Sequence, residues 1–450
     1  MSDAALATGA SFLGKGDFVY RGHFVPIFHS GSGATLTDAN GRRYLDAEAA
    51  NGAAAFGYDQ TILAEACAIL GELPLLPSFC ESALRLDYAE QIANWIEAQT
   101  GVRGRVAFDL GGAQGIELAV KIAAFNRVGG ERIVTFEGAY HGRSPFTSQL
   151  SSSDRYRRWI GSFLPVTRLP LPDCVRCRFG RRPEVCNVEC GTYAASLFRE
   201  DFAGLVSRGD LTRLIAFVFE PMLNVGGMAV PDQRYLAGVI SELRQAGVLI
   251  IADEVFTGLY RLGTALGVQR YEIVPDIIVL SKALTNGMAP FSCVWAREPL
   301  LDPQNFPPGS HSITFANNPL SFALARVVLG RFLDTDTVEH KVKTVCSFLN
   351  RLGASIATRF PLVIDAGVVG AVLRLRLRAP LAERLREVAK QAGADNPVAG
   401  YYGLLVASTG MTNDVLALHP PLTLTDSDME VIEGLLNQTF ESVSLESSVP

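Results

Sequence analysis

Three uninterrupted apolar runs constrain the fold of this chain more than any other feature. They are LIAFVF (214–219), VLIIAD (248–253) and IIVL (277–280). Nearly every position in them is apolar, rather than every second one, which is typical of strands buried on both faces of a parallel sheet. The segment VISELRQAG between the first two runs predicts a crossover helix. The pattern therefore predicts an α/β fold with a mostly parallel central sheet.

Ionisable side chains stand at the ends of the second and third runs. Lys282 follows the third run, and Asp253 and Glu254 close the second. Lysine is scarce, with 6 residues against 34 arginines, and a lysine at the end of a buried strand is costly unless it is paired or reactive. The carboxyl ends of parallel strands meet at one edge of a sheet, where such sheets place their sites. We therefore expect Asp253 and Lys282 to share a site.

This pair of side chains suits the chemistry of pyridoxal 5'-phosphate. Burial lowers the pKa of a lysine and makes its amine nucleophilic, so that it can form a Schiff base with an aldehyde. A carboxylate at the pyridine nitrogen keeps that nitrogen protonated, which lets the ring draw off electrons. In the alternative, structural interpretation, Lys282 caps a helix or forms an ion pair with Glu254.

Three loops supply further candidate residues. The turn Gly111-Gly112-Ala113-Gln114-Gly115 leads into a predicted helix and indicates a phosphate site or a plain tight turn, and its glycine spacing departs from the dinucleotide fingerprint. Tyr140 follows a predicted strand, so its ring could stack on a cofactor, with His141 ordering it. Thr314 lies in a loop before a helix, where its hydroxyl could bind phosphate or cap the helix.

Composition and charge narrow the partners and the location. A formal charge of −6 argues against nucleic acid as the main partner. No run of about 18 apolar residues is present, so we expect no membrane-spanning helix. The first residues lack the basic and apolar pattern of an export signal, and we expect a cytoplasmic protein.

The eight cysteines are too few for a disulfide scaffold in a chain of 450 residues. Four of them, Cys174, Cys177, Cys186 and Cys190, lie in a long irregular stretch at 144–190. Their spacing is compatible with structural zinc, although it matches no standard zinc knuckle. We expect four unligated thiols and no metal, with zinc as the alternative.

Local patterns divide the chain into three parts. We expect residues 1–60 to join the C-terminal part 326–450 in a small α+β domain, beside a large domain at 61–325. The segment DANG (38–41) predicts a hairpin turn, and Gly101 predicts a helix end. VVGAVLRLRLR (368–378) predicts one strand, and Asp426 or Ser427 is the predicted N-cap of a closing helix.

Five segments in register resemble the class III, or ω-type, pyridoxal phosphate-dependent aminotransferases of fold type I. They are GGAQGIELAVK (111–121), AYHGR (139–143), DEVFTGLYR (253–261), PDIIVLSKAL (275–284) and HSITFANNP (311–319). The resemblance covers nearly the whole chain. It implies a large cofactor-binding domain, a smaller α+β domain and a homodimer with shared active sites.

The resemblance also implies roles by position. Lys282 would be the Schiff-base lysine and Asp253 the partner of the pyridine nitrogen. The remaining cofactor contacts that it implies are the amides of Gly112 and Ala113 at the phosphate, Tyr140 and Val255 on the two ring faces, His141 beside Tyr140, Glu220 at a neighbouring strand end, and Thr314 at the phosphate of the neighbouring subunit.

One departure from the family pattern bears on the substrate. Ala417 stands where many members carry an arginine that binds the substrate carboxylate, although another arginine could replace it. We therefore predict transfer of an amino group from glutamate or another amine to an aldehyde or ketone acceptor without a carboxylate. An oxidised amino sugar of aminoglycoside antibiotic biosynthesis would be such an acceptor.

Three other functions stay open. An aminomutase, epimerase or racemase could use the same scaffold and the same Lys282 and Asp253. A nucleotide-dependent oxidoreductase could use the turn at Gly111, and would be indifferent to the loss of Lys282. A metal-bound scaffold protein would need neither cofactor nor Lys282.

Overall fold

A computed structural model describes residues 12–14, 24–200 and 213–446. Its strands and helices, in chain order, are β1 (Phe28–Ser32), β2 (Thr35–Asp38), β3 (Arg43–Asp46), α1 (Gln60–Leu70), α2 (Ala83–Thr100), β4 (Gly104–Asp109), α3 (Gly112–Asn126), β5 (Arg132–Phe136), α4 (Thr147–Leu150), β6 (Val166–Leu169), α5 (Glu189–Arg199), β7 (Leu214–Phe219), α6 (Gln233–Gln245), β8 (Leu249–Asp253), β9 (Ile277–Leu280), β10 (Ser292–Arg297), α7 (Pro319–Leu333), α8 (Thr335–Arg359), β11 (Val363–Val369), β12 (Val372–Leu377), α9 (Ala382–Ala389), β13 (Tyr401–Leu405), β14 (Ala407–Thr409), β15 (Val415–Leu418) and α10 (Asp426–Glu446).

A seven-stranded sheet forms the centre of the fold, in the order β4-β10-β9-β8-β7-β5-β6. Strands β6, β5, β7, β8 and β9 pair in parallel, and β10 runs antiparallel between β9 and β4. Strand β7 is buried at all six positions and β9 at all four, as their continuous apolar runs predict. Helix α6 is the expected crossover, and Asp232 caps it by accepting from the amide of Arg234. The α/β prediction is confirmed.

Two four-stranded sheets lie outside the central one. Strands β11, β12, β15 and β14 form one sheet, and β1, β2, β3 and β13 form the other. In the second sheet β3 pairs in parallel with β13, which comes from the C-terminal part of the chain. Residues 43–46 and 401–405 therefore meet in one sheet, while the domain boundaries at 60 and 325 stay a prediction.

Several local predictions can be compared with the structure. The hairpin at DANG joins β2 to β3, and Gly101 ends α2 in the left-handed region with φ 69°. Both predictions are confirmed. The single strand at 368–378 is wrong, because the chain reverses at Gly370 between β11 and β12. A Cβ on Gly370 would lie 2.3 Å from the Leu262 carbonyl carbon, so only glycine fits this turn.

Two further differences concern helix α10 and the irregular stretch. The N-cap prediction of Asp426 or Ser427 is wrong, because Thr425 Oγ1 accepts from the amide of Asp428 at 3.1 Å. The Asp428 carboxylate in turn accepts from the Thr425 amide, which completes a reciprocal cap. The stretch at 144–190 also contains the edge strand β6, which its four residues VTRL did not predict.

A left-handed turn at Ala49–Gly52 follows β3. Ala49, Ala50, Asn51 and Gly52 all have φ between 49° and 80°. Non-glycine residues are strained in this region, by about 1–2 kcal/mol each. The buried carboxylate of Asp46 holds the turn, because it accepts from the amides of Glu48, Ala49 and Ala50 at 2.8–3.1 Å and from the Tyr58 hydroxyl.

A buried ion network ties the cysteine-bearing loop to the small antiparallel sheet. Arg376 on β12 donates to Asp173 Oδ2 at 2.6 Å and to Asp414 Oδ2 at 3.0 Å. Arg176 also contacts Asp414, at 2.7 Å. The side chains of Arg376, Asp173 and Asp414 are at most 3 % exposed. Each buried carboxylate therefore needs the neighbouring guanidinium to stay ionised at low cost.

Candidate active site

The predicted site residues gather where four parallel strands end. Tyr140 and His141 follow β5, Glu220 follows β7, Asp253 ends β8, and Lys282 follows β9. The strands β5, β7, β8 and β9 are neighbours in the sheet, so their carboxyl ends form one edge. The structure brings these residues together as the sequence predicts.

Asp253 is held at this edge by a buried chain of hydrogen bonds. Its Oδ2 lies 2.8 Å from His141 Nδ1, and its Oδ1 accepts from the amide of Val255 at 3.1 Å. His141 Nε2 lies 3.0 Å from Thr135 Oγ1. The side chain of His141 is fully buried and that of Asp253 only 6 % exposed. The arrangement fixes a carboxylate in one orientation with little access to water.

Glu220 connects the ends of β5 and β7. Its Oε1 accepts from the amide of Tyr140 at 2.8 Å, and its Oε2 accepts from the amide of Asn224 at 3.1 Å. Burial raises the pKa of Glu220 to about 7, and the charge of Asp253 acts in the same direction. Glu220 therefore positions the backbone beneath the Tyr140 ring.

Lys282 is part-buried and has φ 47°, in the left-handed region. Its Nζ lies 5.1 Å from the centroid of the Phe256 ring, and no hydrogen bond or ion pair holds the ammonium among the described residues. Desolvation lowers the pKa of Lys282, while the negative charges of Asp253, Glu220 and Glu48 oppose that change. An amine with a lowered pKa has its free base available for reaction.

The structural alternative, in which Lys282 pairs with Glu254, is wrong. The Glu254 carboxylate accepts from the amides of Gly267 at 3.0 Å and Val268 at 2.8 Å, and from the Thr257 hydroxyl. It is 1 % exposed and faces this loop. Glu254 is therefore committed to backbone structure, and Lys282 stays available.

The glycine-rich turn forms the N-terminus of helix α3 beside these residues. Gly111 is the extended N-cap, and the helix begins at Gly112. A Cβ on Gly112 would lie 2.9 Å from Val255 Cγ1, and one on Gly142 would lie 2.7 Å from the Ala113 Cβ. The backbone therefore approaches Val255 closely, and the first amides of α3, which lack partners within the helix, are suited to an anion.

These groups fit pyridoxal phosphate. An anion site at a helix start, a fixed carboxylate and an amine with a lowered pKa occupy one sheet edge, with aromatic and aliphatic side chains between them. The part-buried Tyr140 ring packs edge-on against Tyr156 at 5.3 Å. The donor set thus matches a phosphate, a pyridine nitrogen and an aldehyde.

Two predictions concern residues away from this edge. Thr314 is exposed in the loop before α7, and no hydrogen bond joins its hydroxyl to the other candidates within the described ranges. The cysteines Cys174, Cys177, Cys186 and Cys190 are free thiols. No three metal-binding side chains are arranged to hold an ion in the part of the chain that the structure describes.

Sequence reasoning missed two residues beside Lys282. Phe256 lies under the lysine, and the buried His419 packs edge-on against Phe256 with ring centroids 5.2 Å apart. Burial lowers the pKa of His419 to about 3, so its ring is neutral. Phe256 follows DEV and His419 precedes two prolines, and neither local pattern indicates that the residues meet.

A sequence model of the aminotransferase class-III family matches residues 20–440. The chain belongs to this family. Class-III aminotransferases depend on pyridoxal phosphate, in agreement with the geometry of the sheet edge. The resemblance inferred from the five segments is confirmed, and an oxidoreductase or a scaffold protein is not supported.

Curated relatives share 25–29 % identity with this class-III chain. A diaminobutyrate–2-oxoglutarate aminotransferase of Rhizobium meliloti is 29 % identical over 94 % of this chain and 89 % of its own length. An ornithine aminotransferase of Geobacillus is 26 % identical over 94 % and 95 %. A leucine/methionine racemase of Thermococcus litoralis is 29 % identical over 74 % and 71 %.

Solved structures of transaminases share the fold. An ω-aminotransferase from Paracoccus denitrificans aligns with a TM-score of 0.86 at 22 % identity, covering 100 % of both chains. A PLP-bound amine transaminase from an uncultivated Pseudomonas species aligns with a TM-score of 0.83 at 24 % identity, covering 96 % of this chain and 98 % of its own. Among the described residues, none of the helices is both long and apolar enough to span a membrane.

Proposed function

We propose that this class-III aminotransferase moves an amino group from glutamate or another amine to an aldehyde or ketone acceptor that lacks a carboxylate. The observation that carries the proposal is the environment of Ala417. This residue is fully buried in a cluster of six apolar side chains, the Ala417 cluster, made of Met222, Met228, Phe256, Leu262, Val372 and Ala417. Phe256 extends the cluster to Lys282. An apolar wall thus stands where a carboxylate-binding arginine is expected.

The nearby arginines are committed to other partners. Arg374, opposite Ala417 across the β12–β15 pair, donates to Asp365 at 2.6 Å. Arg376 donates to the buried carboxylates of Asp173 and Asp414. Arg261 donates to the carbonyls of His419 and Pro420 and keeps one buried nitrogen, Nη2, without a partner. Arg374 and Arg376 also keep one buried nitrogen each, Nε, without a partner, but both are ion-paired with carboxylates. Among these three, only Arg261 forms no ion pair with a carboxylate of the described residues, so its charge remains for a substrate anion.

Each residue at the sheet edge has a proposed task. When bound, pyridoxal phosphate supplies an electron sink for the substrate carbon that carries the amine. The amides of Gly112 and Ala113 would hold its phosphate, and Tyr140 and Val255 would contact its ring. Asp253, oriented by His141, would hold the proton on the ring nitrogen.

Lys282 would hold the cofactor covalently and serve as the proton carrier. Its Nζ would take the proton from the substrate carbon that carries the amine and deliver it to the cofactor carbon that receives the nitrogen. The lowered pKa keeps a larger share of the amine unprotonated at neutral pH than in an exposed lysine. Glu254 and the helix caps have hydrogen-bond partners other than Lys282. The Lys282 amine is therefore not needed to hold the structure.

The visible absorption spectrum tests the proposal. We expect the purified protein to be yellow, and the band to bleach when glutamate or a suitable amine is added. Lys282→Ala should remove the band, whereas the exposed Lys121→Ala in α3 should keep it. A colourless protein that takes up no added pyridoxal phosphate would refute the assignment of the site.

Acceptor assays test the substrate. We expect turnover with aldehydes of amino sugars or other polyols, and weak turnover with α-keto acids. The oxidised amino sugars of aminoglycoside antibiotic biosynthesis belong to this acceptor class. Turnover of simple α-amino acids with keto acids, and none with any amino-sugar aldehyde, would reject this choice of acceptor while leaving the transaminase intact.

A racemase or epimerase is the second candidate, favoured by the leucine/methionine racemase among the relatives. Such an enzyme would return the proton to its substrate without net transfer of nitrogen. It would exchange the substrate α-proton with deuterium from solvent in the absence of any keto acid. An absolute requirement for a carbonyl co-substrate would exclude it.

We further propose a cytoplasmic homodimer with shared active sites. Thr314 supports this arrangement, because its side chain is exposed and could reach the phosphate site of a second copy. Sedimentation velocity should give the mass of a dimer. Thr314→Ala should weaken cofactor affinity, whereas Thr358→Ala, a change on helix α8, should not. A monomer with full affinity would contradict the proposal.

A further inference from the structure

Among the residues that the structure describes, Glu48 is the one acidic side chain near Lys282 that has no structural task. Glu220 and Asp253 accept two hydrogen bonds each from the protein. The part-buried carboxylate of Glu48 accepts none and forms no ion pair among the described residues. A carboxylate withdrawn from water without a partner is unfavourable, which points to a partner that binds from outside.

The backbone turn that contains Glu48 lies against the wall of the site. Its amide donates to Asp46, and its carbonyl accepts from the amide of Gly52 at 2.9 Å, so Glu48 is part of the left-handed turn. A Cβ on Gly52 would lie 2.8 Å from the Phe256 ring. That ring is the one that supports the Lys282 ammonium. The turn therefore packs directly on the wall of the site.

The charges around Glu48 agree with this position. Burial raises the pKa of Glu48 to about 7, the Asp46 charge adds to the rise, and the charges of Lys282, Arg386 and Lys390 oppose it. Arg386 and Lys390 contact Glu387. Lys282 has no ion-pair partner in the described part of the chain. Near neutral pH Glu48 is thus partly protonated when no cation is bound, and an approaching cation shifts it to the ionised form.

We propose that Glu48 is a specificity residue that binds a second, positively charged amino group of the substrate. The proposal rests on the proposed function and names its substrate class, which is diamines and amino sugars with a protonated amine remote from the reacting nitrogen. The Ala417 cluster and Glu48 act together, because one withholds the cation that a carboxylate needs and the other supplies an anion for an ammonium.

Paired amines test this assignment in the holoenzyme. Pentane-1,5-diamine, 5-aminopentan-1-ol, pentylamine and 5-aminopentanoate share one spacer and differ at the far end. Stopped-flow mixing, monitored by visible absorbance, gives the dissociation constant of each amine and the limiting rate of the half-reaction separately. We expect the diamine to bind most tightly and the amino acid most weakly. Diamines of three to six carbons would then define the preferred spacing.

Glu48→Gln is the informative variant, because the glutamine has the same shape and the side chain makes no internal hydrogen bond. We expect the dissociation constant of the diamine to rise about 10- to 100-fold, since a hydrogen bond between charged groups is lost. The limiting rate, and the dissociation constant of pentylamine, should change less than about threefold. Glu48→Asp should restore part of the preference. The matched control Glu90→Gln alters an exposed residue of α2.

The outcomes separate the two proposals. If Glu48→Gln weakens the binding of diamine and pentylamine equally, the specificity role is overturned. Glu48 would then act on the electrostatics of Lys282. Tightest binding of 5-aminopentanoate would also overturn it, and would point to the unused Arg261 Nη2. If no amine bleaches the visible band, the proposed function fails and this inference fails with it.

Discussion

Replacing Ala50 by glycine should stabilise the left-handed turn. Ala50 has φ 49° and ψ 57°, and its side chain is exposed, so the substitution removes strain without removing packing. The strain amounts to about 1–2 kcal/mol, and the extra freedom of glycine in the unfolded chain costs about 0.5–1 kcal/mol. The difference is a gain of roughly 0.5–1 kcal/mol in the free energy of opening the turn.

Hydrogen exchange measured by mass spectrometry reports on this turn directly. The amides of Glu48, Ala49 and Ala50 donate to Asp46, so they exchange only when the turn opens. We expect Ala50→Gly to slow their exchange about two- to fivefold. The control Ala64→Gly alters an exposed alanine in the right-handed helix α1 and should speed exchange there, since glycine costs a helix about 1 kcal/mol.

The result that would refute the reasoning is faster exchange at 48–50 in Ala50→Gly, comparable with the effect of Ala64→Gly on α1. It would mean that residue 50 is unstrained and that the hydrogen bonds to Asp46 are not what maintains the turn.

Three further predictions concern charge. Asp253→Asn should keep the visible band but slow the half-reaction roughly 100-fold or more, because a fixed charge at the ring nitrogen is lost; a loss under tenfold in rapid mixing would contradict this. Arg376→Met should destabilise the cofactor-free protein by about 3–5 kcal/mol, because it leaves Asp173 and Asp414 buried, and Arg176 is then the only described cation that contacts Asp414. Arg359→Met, at an exposed arginine, should lower the free energy of unfolding by about 1 kcal/mol or less. Similar urea midpoints for the two variants would contradict this prediction. For Glu48 the folded pKa of about 7 exceeds the unfolded value, so the folded protein binds more protons between these values and stability falls as pH rises through that window. Glu48→Gln should therefore gain stability relative to the parent at pH 8 more than at pH 5, and a pH-independent difference between their melting temperatures would exclude the raised pKa.

The central sheet and its reactive edge could be predicted because they depend on local patterns and one geometric rule. Continuous apolar runs indicate buried parallel strands, and the polar residues that follow such strands meet at one edge. Asp253, Lys282 and His141 were found in this way, whereas Glu220 was implied only by the family resemblance. The grouping needed no knowledge of distant contacts.

The substrate side of the site could not be predicted in the same way. Ala49 and Ala50 carry no local preference for a left-handed turn, unlike Asn51. The turn is held because Asp46 accepts from the amides of Glu48, Ala49 and Ala50. The approach of Glu48 to Lys282 depends on that turn packing against Phe256. Such contacts join segments far apart in sequence, so no periodicity reveals them. The prediction of one continuous strand through Gly370 was wrong for a related reason. The reversal there depends on close packing against the backbone of Leu262, which is distant in sequence.

The parallel pairing of β3 with β13 sets the order in which a growing chain can complete its site. The strands that carry His141, Glu220, Asp253 and Lys282 have all emerged once β9 is made. Strand β3, which leads into the turn of Glu48, pairs with β2 early but receives its second partner, β13, only from near the C-terminus. During synthesis the reactive edge can therefore assemble well before the substrate-selecting turn, and contacts between such distant segments form slowly. A ribosome-bound chain could therefore have its cofactor-binding residues in place before the residues that select the substrate are assembled.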